Sequence, residues 1–371
     1  MVDAIYGSPA RVMLLTNRLE DAPAGGRALL CKLNHDALVE IFGDDLVLFE
    51  VPQRAVRGAL SVFSAFRGRI DGLNEGVIAE ALEAIQAKNV GSIFVDGSNF
   101  GGFVRVVKEK RPQVRVCTFF HNVEARFFLG SLWQSKTLRA LAVLMVNYLA
   151  ERKAVRYSDR IICLSKRDSR LLHKIYGRAA THVAPMAMQD KLPPNHGSVR
   201  QASGEKFALF VGGGFYANRS GIAWFVKHVM PRIDLKICIV GRGLEDLRPE
   251  LERMGKVEVV GAVESLAEWY RNAQFVIAPI FDGSGMKTKV AEALMHGKNI
   301  VGTPEAFSGY EDVADRAGWV CATADDFVAA IGRARAEVSQ PFDPELRALY
   351  EERYSYPAAR SRLAGILGAE G

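Results

Sequence analysis

Nearly continuous apolar runs alternate with helical patterns along the whole sequence. In the first half, the runs that predict β-strands are 11–16, 46–49, 92–95, 114–118 and 160–164. Strands without an alternation of polar and apolar residues are typical of parallel sheets that are covered on both faces. Segments with helical periodicity, such as 75–88 and 101–110, lie between these runs. The alternation of the two patterns predicts an α/β domain.

A second series of the same kind follows a break in the pattern. Residues 189–206 are polar, contain two consecutive prolines and have no periodicity, which predicts a linker. Strand-like runs then return at 207–211, 236–240, 257–260, 275–280 and 299–301. We therefore predict an N-terminal domain over 1–188 and a C-terminal domain over 207–354. Both are expected to be Rossmann-like and to face each other across a cleft.

Glycines after the run 275–280 predict a tight turn that leads into a helix. Gly283 and Gly285 allow the backbone to turn sharply and to come close to a ligand. Residues 286–296 have a helical pattern, and Gly297 predicts its end. A glycine-rich turn that leads into a helix presents unpaired amides and the positive end of the helix dipole. The pattern therefore indicates an anion site.

Charged residues at the start of this helix support an anionic ligand. Lys287 and Lys289 lie in the first turn, where the helix dipole repels positive charge. They are unfavourable there for helix stability alone, and a bound diphosphate would make them favourable. Glu292, one turn further along, is placed to accept hydrogen bonds from a ribose diol. The alternative is an ordinary strand–turn–helix whose lysines are merely solvated.

Other glycine-rich turns follow strand-like runs of the C-terminal domain. Gly213 and Gly214 come after the run 207–211, and a helix is expected to begin near Arg219. This turn brings a second set of amides to the same edge, although a tight strand-to-helix connection explains it equally. Gly243 ends a turn after the run 236–240, and the backbone around Val263, after the run 257–260, is placed to contact a base.

Polar residues also follow the run 114–118 of the N-terminal domain. His121, Asn122 and Glu124 lie at the carboxyl end of the predicted sheet, which is the ligand edge in open α/β folds. A histidine at such a place either packs or caps locally or contacts the ligand. Both interpretations stay open from the residues alone.

Composition and charge limit the classes of protein. The chain has 371 residues, enough for two domains, and its 49% of apolar residues argues against disorder. Residues 151–178 contain nine lysines and arginines against three acidic residues, an excess that equals the net charge of +6. A basic face suits phosphorylated ligands or an anionic membrane, although a solvated helix explains it as well. The absence of interleaved aromatic residues argues against nucleic acid.

The sequence gives no sign of a metal site or of targeting. None of the five cysteines has a metal-ligand spacing, and three of them lie in apolar runs, as buried thiols of a reducing compartment do. Residues 1–8 lack the apolar core of a signal peptide, and the stretch 138–149 is too short to span a bilayer. We expect a cytoplasmic protein without a metal or other cofactor.

A basic amphipathic pattern covers residues 54–69. Val56, Leu60 and Phe63 recur at helical spacing, and arginines flank them. A helix packed on a sheet is the favoured interpretation, because such a helix has the same separation of an apolar face from a polar one. The alternative is a helix that lies on an anionic membrane, which would suit a lipid-linked acceptor.

The segment 283–303 resembles the donor-site signature of glycosyltransferase family 4, whose members have the two-domain GT-B fold. The similar residues are G-S-G-M-K-T-K-V-A-E-A-L, then G-K and I-V-G-T. The resemblance implies that this segment binds the nucleoside diphosphate and ribose of an activated sugar. The implied donor-binding residues are Gly283, Ser284, Gly285, Met286 and Lys289, while Lys287 and Glu292 are also implied in catalysis.

Further runs are similar to the same family. The run Y-x-N-x-x-G-I-x-W-F at 216–225 implies that Asn218, Arg219 and the glycines before them contact the donor. The H-N-x-E run implies that His121 lies beside the donor sugar and acts in catalysis. Gly25 and Gly26 match a loop that approaches the donor phosphates, or else form a flexible connection. The GT-B fold implies that the terminal helix, about 355–371, packs back on the N-terminal domain.

One position departs from the family pattern. Typical members have two glutamates separated by seven residues, and the first of these falls on Ser284 here. A serine can hydrogen-bond sugar hydroxyls, but without charge, so the donor sugar stays open.

We therefore predict a bacterial glycosyltransferase that moves a sugar from a nucleoside diphosphate-sugar to a hydroxyl acceptor. The resemblance implies retention of anomeric configuration and a setting in surface polysaccharide or lipid-linked glycan assembly. The basic amphipathic pattern adds peripheral contact with an anionic membrane, at its cytoplasmic face, as a further expectation. Two alternatives remain open: a catalytically degenerate GT-B protein that binds nucleotide-sugars, and a GT-B nucleotide-sugar epimerase, which would need catalytic carboxylates that the sequence does not identify.

Overall fold

The computed structural model describes residues 11–20, 26–52, 64–190, 192, 206–283 and 285–368. The chain divides into two compact units. The N-terminal unit comprises Met1–Pro185 together with Ala359–Gly371, and the C-terminal unit comprises Met186–Ala358. Gly25, Ser284 and most of the predicted linker and of the predicted helix 54–69 lie outside the described residues.

A parallel sheet of six strands forms the centre of the N-terminal unit. The strands are β1 (Arg11–Asn17), β2 (Leu46–Val51), β3 (Val90–Asp96), β4 (Arg115–Phe120), β5 (Arg160–Cys163) and β6 (His182–Val183). Their order across the sheet is β2-β1-β3-β4-β5-β6. From β1 the chain adds β2 on one side of the sheet and β3 to β6 on the other. The topological switch point therefore lies between the carboxyl ends of β1 and β3.

The C-terminal unit has a second parallel sheet of six strands. These are β7 (Phe207–Val211), β8 (Lys236–Val240), β9 (Val257–Gly261), β10 (Phe275–Ala278), β11 (Ile300–Gly302) and β12 (Gly318–Val320). Their order is β12-β11-β10-β7-β8-β9, which is the order of a dinucleotide-binding Rossmann sheet. The switch point lies between β7 and β10.

Helices connect the strands in both units. In chain order they are α1 (Gly26–Phe42), α2 (Glu75–Ala87), α3 (Gly101–Lys110), α4 (Glu124–Ser135), α5 (Leu138–Tyr157), α6 (Lys166–Tyr176), α7 (Tyr216–His228), α8 (Arg248–Leu251), α9 (Ala267–Asn272), α10 (Thr288–Met295), α11 (Ala314–Ala317), α12 (Ala324–Glu337), α13 (Pro344–Arg353) and α14 (Tyr356–Leu367). α14 contacts the N-terminal unit, where Arg360 pairs with Glu40 at 3.0 Å and Arg160 donates to the carbonyl of Ile366.

The predicted α/β fold class is confirmed. Every predicted strand is present, and the apolar runs of the central strands are buried as strands covered on both faces are, whereas Leu48 of the edge strand β2 is exposed. The sequence analysis missed β6 and β12, which are edge strands of two and three residues with half-exposed side chains and so lack an apolar run. The helix that we expected near Arg219 begins three residues earlier, at Tyr216, where no side chain caps it and no cap signal exists.

Helix α7 packs against the end of β10 through a glycine. A Cβ atom added at Gly221 would overlap the carbonyl oxygen of Pro279, the residue that follows β10. Backbone contact at this point lets α7 lie close to the sheet and fixes its first turn beside the switch point. A side chain here would therefore push the helix away from the sheet.

We predict that Gly221→Ala lowers the free energy of unfolding by about 1–3 kcal/mol, as overpacking does. The matched control is Gly332→Ala in α12, where an added Cβ would meet no atom within 4 Å. That variant should gain about 0.5–1 kcal/mol, because alanine favours a helix over glycine. Urea unfolding of the full chain, followed by circular dichroism, measures both. Equal stability of the two variants would contradict the close packing.

Candidate functional site

A cavity of about 410 Å³ opens at the carboxyl ends of β7 and β8 in the C-terminal unit. Its lining residues are Val211, Gly212, Gly213, Asn218, Val240, Gly241, Arg242, Ala262, Val263, Leu266, Thr288, Lys289 and Glu292. They come from the ends of three neighbouring strands, from the loop after the third, and from the first turns of α7 and α10. The cavity therefore lies at the ligand edge that the strand order defines.

Two strand ends meet through their backbones on one side of this cavity. The amide of Gly214, after β7, donates to the carbonyl oxygen of Arg242, after β8, at 2.8 Å. Gly213 and Val263 are among the lining residues of the cavity, whereas Gly214 and Gly243 are not. These glycines position the loops that surround the cavity.

The turn before α10 has the left-handed backbone that its glycines permit. Gly283 has a φ of 132° and Gly285 a φ of 67°, values that other residues rarely adopt. The chain then becomes extended at Lys287, and α10 begins at Thr288, two residues later than expected. Met286 is buried, and its sulfur lies 3.4 Å from the backbone nitrogen of Met186. The turn brings the start of α10 to the cavity, where Thr288 and Lys289 are lining residues.

Lys289 is the buried cation of this cavity. It lies in the first turn of α10, is 7% exposed, and its Nζ donates to Oδ1 of Asn218 at 2.9 Å. The Nζ also lies 4.4 Å from the centre of the Phe210 ring. Burial lowers the pKa of Lys289 to about 7, an effect that the charge of Lys287 reinforces and that of Glu292 opposes. A ligand with negative charge would raise that pKa again.

The carboxylate of Glu292 is held by a buried tyrosine. Tyr270, fully buried, donates its hydroxyl to Oε2 of Glu292 at 3.0 Å, and its ring stacks on His296 with centroids 4.3 Å apart. One carboxylate oxygen is thus fixed by the core while the residue lines the cavity. This arrangement suits a carboxylate that accepts hydrogen bonds from a ligand at a defined position.

Two other predicted cations are engaged outside the cavity lining. Lys287 donates to the carbonyl of Gly285 and to Glu305, both at 2.9 Å. Arg219 forms two hydrogen bonds with Asp246 and one with the carbonyl of Gly243. Among the described residues that line the cavity, the basic side chains are those of Lys289 and Arg242. The sequence placed all the lysines on one turn and could not show which of them points inward.

In the N-terminal unit, His121 joins a buried hydrogen-bonded cluster. Its Nε2 lies 3.0 Å from Oδ1 of Asp96 and 3.8 Å from Sγ of Cys31. Asp96 also accepts hydrogen bonds from Thr16 and Asn34. Burial alone would raise the pKa of Asp96, but the charge and hydrogen bond of His121 outweigh it and lower the pKa to about 2.

This cluster fixes the orientation of His121. Because Asp96 accepts from Nε2, Nδ1 is a hydrogen-bond acceptor when the ring is neutral and a donor when the ring is charged. Nδ1 is buried and has no hydrogen-bond partner within the described ranges. The ligand-type atoms of Cys31, Asp96 and His121 lie within 4.8 Å of one another. Burial and the charge of Asp96 raise the pKa of Cys31, and a protonated thiol is a poor metal ligand.

The first turn of α4 is capped from a distance by Glu151 of α5. One carboxylate oxygen of Glu151 accepts from the amide of Glu124 at 2.9 Å, and the other from the amide of Ala125 at 3.1 Å and from the hydroxyl of Tyr176 at 2.6 Å. Burial raises the pKa of Glu151 to about 7, against the lowering effect of these hydrogen bonds. This buried carboxylate fixes the chain immediately after His121.

The remaining N-terminal predictions lie around this cap. Asn122 donates to Oε1 of Glu124 at 3.3 Å, and Glu124 is buried, which raises its pKa. Gly26 begins α1, with open space where a Cβ would lie. Sequence analysis missed Asp96 and Glu151. Asp96 ends an apolar strand just before a glycine, a detectable signal, whereas Glu151 has no local signal because its partners are 26 and 27 residues away.

A comparison with family models matches residues 205–336 to the model described as Glycosyl transferases group 1. The matched segment contains β7 to β12 and every residue that lines the cavity. No sequence among the curated proteins matches the chain.

Solved structures extend the comparison to the whole chain. Sucrose-phosphate synthase from Thermosynechococcus elongatus is similar with a TM-score of 0.69 and 14% identity, over 96% of this chain and 98% of that one. The lipopolysaccharide outer core galactosyltransferase WaaB has a TM-score of 0.67 and 12% identity, over 96% and 99%. HepE from Anabaena, in complex with UDP, has a TM-score of 0.66 and 12% identity, over 97% and 100%.

These comparisons confirm the resemblance that the motifs indicated. At such identities the structures establish the fold, which is that of GT-B glycosyltransferases. The family match adds that residues 205–336 of the C-terminal unit are similar to the group 1 glycosyl transferases. Together they support glycosyl transfer as the general activity.

We predict that Glu151→Gln loosens the first turn of α4. The amide group of glutamine would turn an N–H toward donors that now meet a carboxylate oxygen, at a cost of about 1–3 kcal/mol. Hydrogen exchange followed by mass spectrometry should show faster exchange at the amides of Glu124 and Ala125. Glu80→Gln, at an exposed position of α2, is the control. Unchanged exchange at both amides would rule out the capping role.

Proposed function

We propose that the protein transfers a sugar from a nucleoside diphosphate-sugar to a hydroxyl acceptor. The observation that carries this proposal is Lys289, a buried lysine at the start of α10 in a cavity at the switch point. Burying a cation where the helix dipole repels it is costly, so a compensating anion is expected. A diphosphate fits a site of this size and charge.

Lys289 and the amides of α10 would act on the leaving group. Glycosyl transfer develops positive charge at the anomeric carbon and negative charge on the departing diphosphate. Fixed donors that face the developing negative charge lower the barrier. In this proposal Lys289 supplies the positive charge and Lys287, beside it, raises the local potential. No metal is then needed, and UDP binding should persist in the presence of EDTA.

The rest of the nucleotide would lie along the cavity wall. Glu292, held by Tyr270, would accept hydrogen bonds from the ribose diol. The backbone near Val263 would contact the base. Because HepE is solved with UDP, UDP is the first nucleotide to test.

In the N-terminal unit, we propose that His121 forms a hydrogen bond with a sugar hydroxyl through Nδ1. Nδ1 is the ring nitrogen that the described residues leave without a partner, and Asp96 holds the ring that presents it. The family resemblance supports this role for the H-N-x-E run and supports retention by front-face attack. A setting in surface polysaccharide or lipid-linked glycan assembly, at the cytoplasmic face of a membrane, belongs to the same proposal. The likeness to a lipopolysaccharide galactosyltransferase supports it.

The test of the function is a calorimetric panel of UDP, GDP, ADP and TDP on the wild type and on Glu292→Gln. We expect saturable binding of one nucleotide, and release of that nucleotide from its sugar ester when acceptor extracts are supplied. A 2′,3′-dideoxy nucleotide should bind the wild type and Glu292→Gln equally, because the ribose hydroxyls are the partners of Glu292. Tight binding without any turnover would favour the non-catalytic alternative, and no binding at all would refute the proposal.

We predict that Lys289→Met weakens binding of the diphosphate by about 1–3 kcal/mol, as the loss of a charge-assisted hydrogen bond does. Methionine keeps most of the volume and apolar contact of the side chain. Lys227→Met, at an exposed position of α7, is the control and should bind like the wild type. Affinity in Lys289→Met equal to that of the wild type would exclude the phosphate contact.

The pH dependence of this effect has a defined sign. Below pH 7 the free protein already carries the charged lysine, and above pH 7 ligand binding must first protonate it. The advantage of the wild type over Lys289→Met should therefore shrink as the pH rises above about 7. The difference between the two proteins cancels the titration of the ligand itself. A constant difference from pH 6 to 9 would contradict the low pKa.

A further inference from the structure

Helix α4 and the first turns of α5, which are joined by a short turn, are far less buried than their composition predicts. From Arg126 to Met145, every residue whose side chain the structure describes is half-exposed or exposed. Trp133 is 72% exposed and Leu138 is 86% exposed, and these two lie on either side of the turn that joins the helices. We call residues 126–145 the hairpin. Its apolar side chains are therefore largely in water.

The exposed apolar residues form a stripe on each helix. On α4, Leu129 and Trp133 are one turn apart, and on α5 Leu138, Leu141 and Met145 recur at helical spacing. Such stripes normally face a core. Scattered exposed apolar residues are ordinary, but a continuous set that includes a tryptophan marks an interaction surface.

The charges of the hairpin all have one sign. Between Ala125 and Ala150 the sequence contains Arg126, Lys136 and Arg139 and no aspartate or glutamate. All three basic residues are exposed. The surface is thus apolar and basic, and its own sequence contains no acidic residue to balance the positive charge.

We propose that the hairpin docks on an anionic lipid surface. Apolar side chains with a tryptophan at the water boundary and basic residues beside them are the features that bind the interface of a negatively charged bilayer. A second copy fits less well. A symmetric contact would bring Arg126, Lys136 and Arg139 against their own counterparts without any carboxylate in the hairpin to pair with them.

The hairpin enters the lipid surface from one side. The part of the chain that the structure describes contains no helix with the length and apolarity needed to cross a bilayer. α4 has 12 residues and so rises about 18 Å from its start at Glu124 to the turn. Trp133, Leu138 and the basic residues near them lie at the far end, which is the part that contacts the lipid. If His121 acts as proposed above, this contact also brings the lipid surface within one helix length of it.

The first test removes the apolar contact. Purified full-length protein is sedimented with phosphatidylcholine vesicles that contain or lack phosphatidylglycerol, without donor or acceptor. The wild type should bind the anionic vesicles, and high salt should weaken this binding. Trp133→Ser/Leu138→Ser should bind about tenfold more weakly or worse. Met254→Ser, at an exposed apolar position of the C-terminal unit, is the control and should bind like the wild type.

The second test removes the charge. Arg126→Gln/Lys136→Gln/Arg139→Gln should weaken binding to anionic vesicles by about tenfold or more. A control with the same loss of net charge is Lys88→Gln/Lys110→Gln/Arg115→Gln, at exposed positions elsewhere on the N-terminal unit. It should retain nearly all binding. Equal loss in both triple variants would mean that only net charge matters, and would overturn the assignment to the hairpin.

The third test locates the contact. Brominated lipids quench tryptophans that enter the bilayer, so quenching should be strong in the wild type and largely lost in Trp133→Phe, which still binds. Light scattering after size exclusion gives the oligomeric state. The proposal would be overturned if the wild type bound no vesicles and formed a dimer that dissociated in Trp133→Ser/Leu138→Ser. The hairpin would then be the contact with a second copy of the chain. Because these readouts need no nucleotide, their failure leaves the proposed function untouched.

Discussion

Parallel strands that are covered by helices on both faces have only their ends left for polar chemistry. This constraint governs both units. The central strands are almost wholly buried, and the polar side chains that matter lie at the end of β3 and just after β4 in one unit, or surround the ends of β7 and β8 in the other. The strand order then decides which ends diverge enough to leave room. In the C-terminal unit that place holds a cavity lined by glycines, a buried lysine and a fixed glutamate.

The buried charges at the two sheet edges differ in how far their surroundings stabilise them. In the C-terminal unit, desolvation is left largely uncompensated at Lys289, whose pKa falls to about 7. In the N-terminal unit, Asp96 is surrounded by donors, so its pKa falls to about 2 and its charge is stable at any neutral pH. The first arrangement suits a group that changes with its ligand. The second suits a rigid support, here for the ring of His121.

The sequence was sufficient for the fold and for the neighbourhood of the site, but not for its details. Apolar runs identified the buried strands, since burial on both faces leaves a direct mark on composition, and they missed edge strands such as β12. The glycine-rich turn before α10 identified the cavity. Which lysine points inward depends on where the helix begins, and Thr288 begins it two residues later than the pattern suggested. The cap from Glu151 depends on packing between α4 and α5, and no local pattern encodes such a contact.

The N-terminal unit is discontinuous, since it includes Ala359–Gly371 as well as Met1–Pro185. During synthesis, the 173 residues 186–358 are added between the end of the first segment of this unit and the start of its second. At the usual rate of translation this delay lasts about 10–35 s, longer than most small domains need to fold. The surface that receives α14, with Arg160 and Glu40, stays uncovered throughout that interval. The unit that is made first is therefore completed last, and its nascent form depends on whatever shields that surface meanwhile.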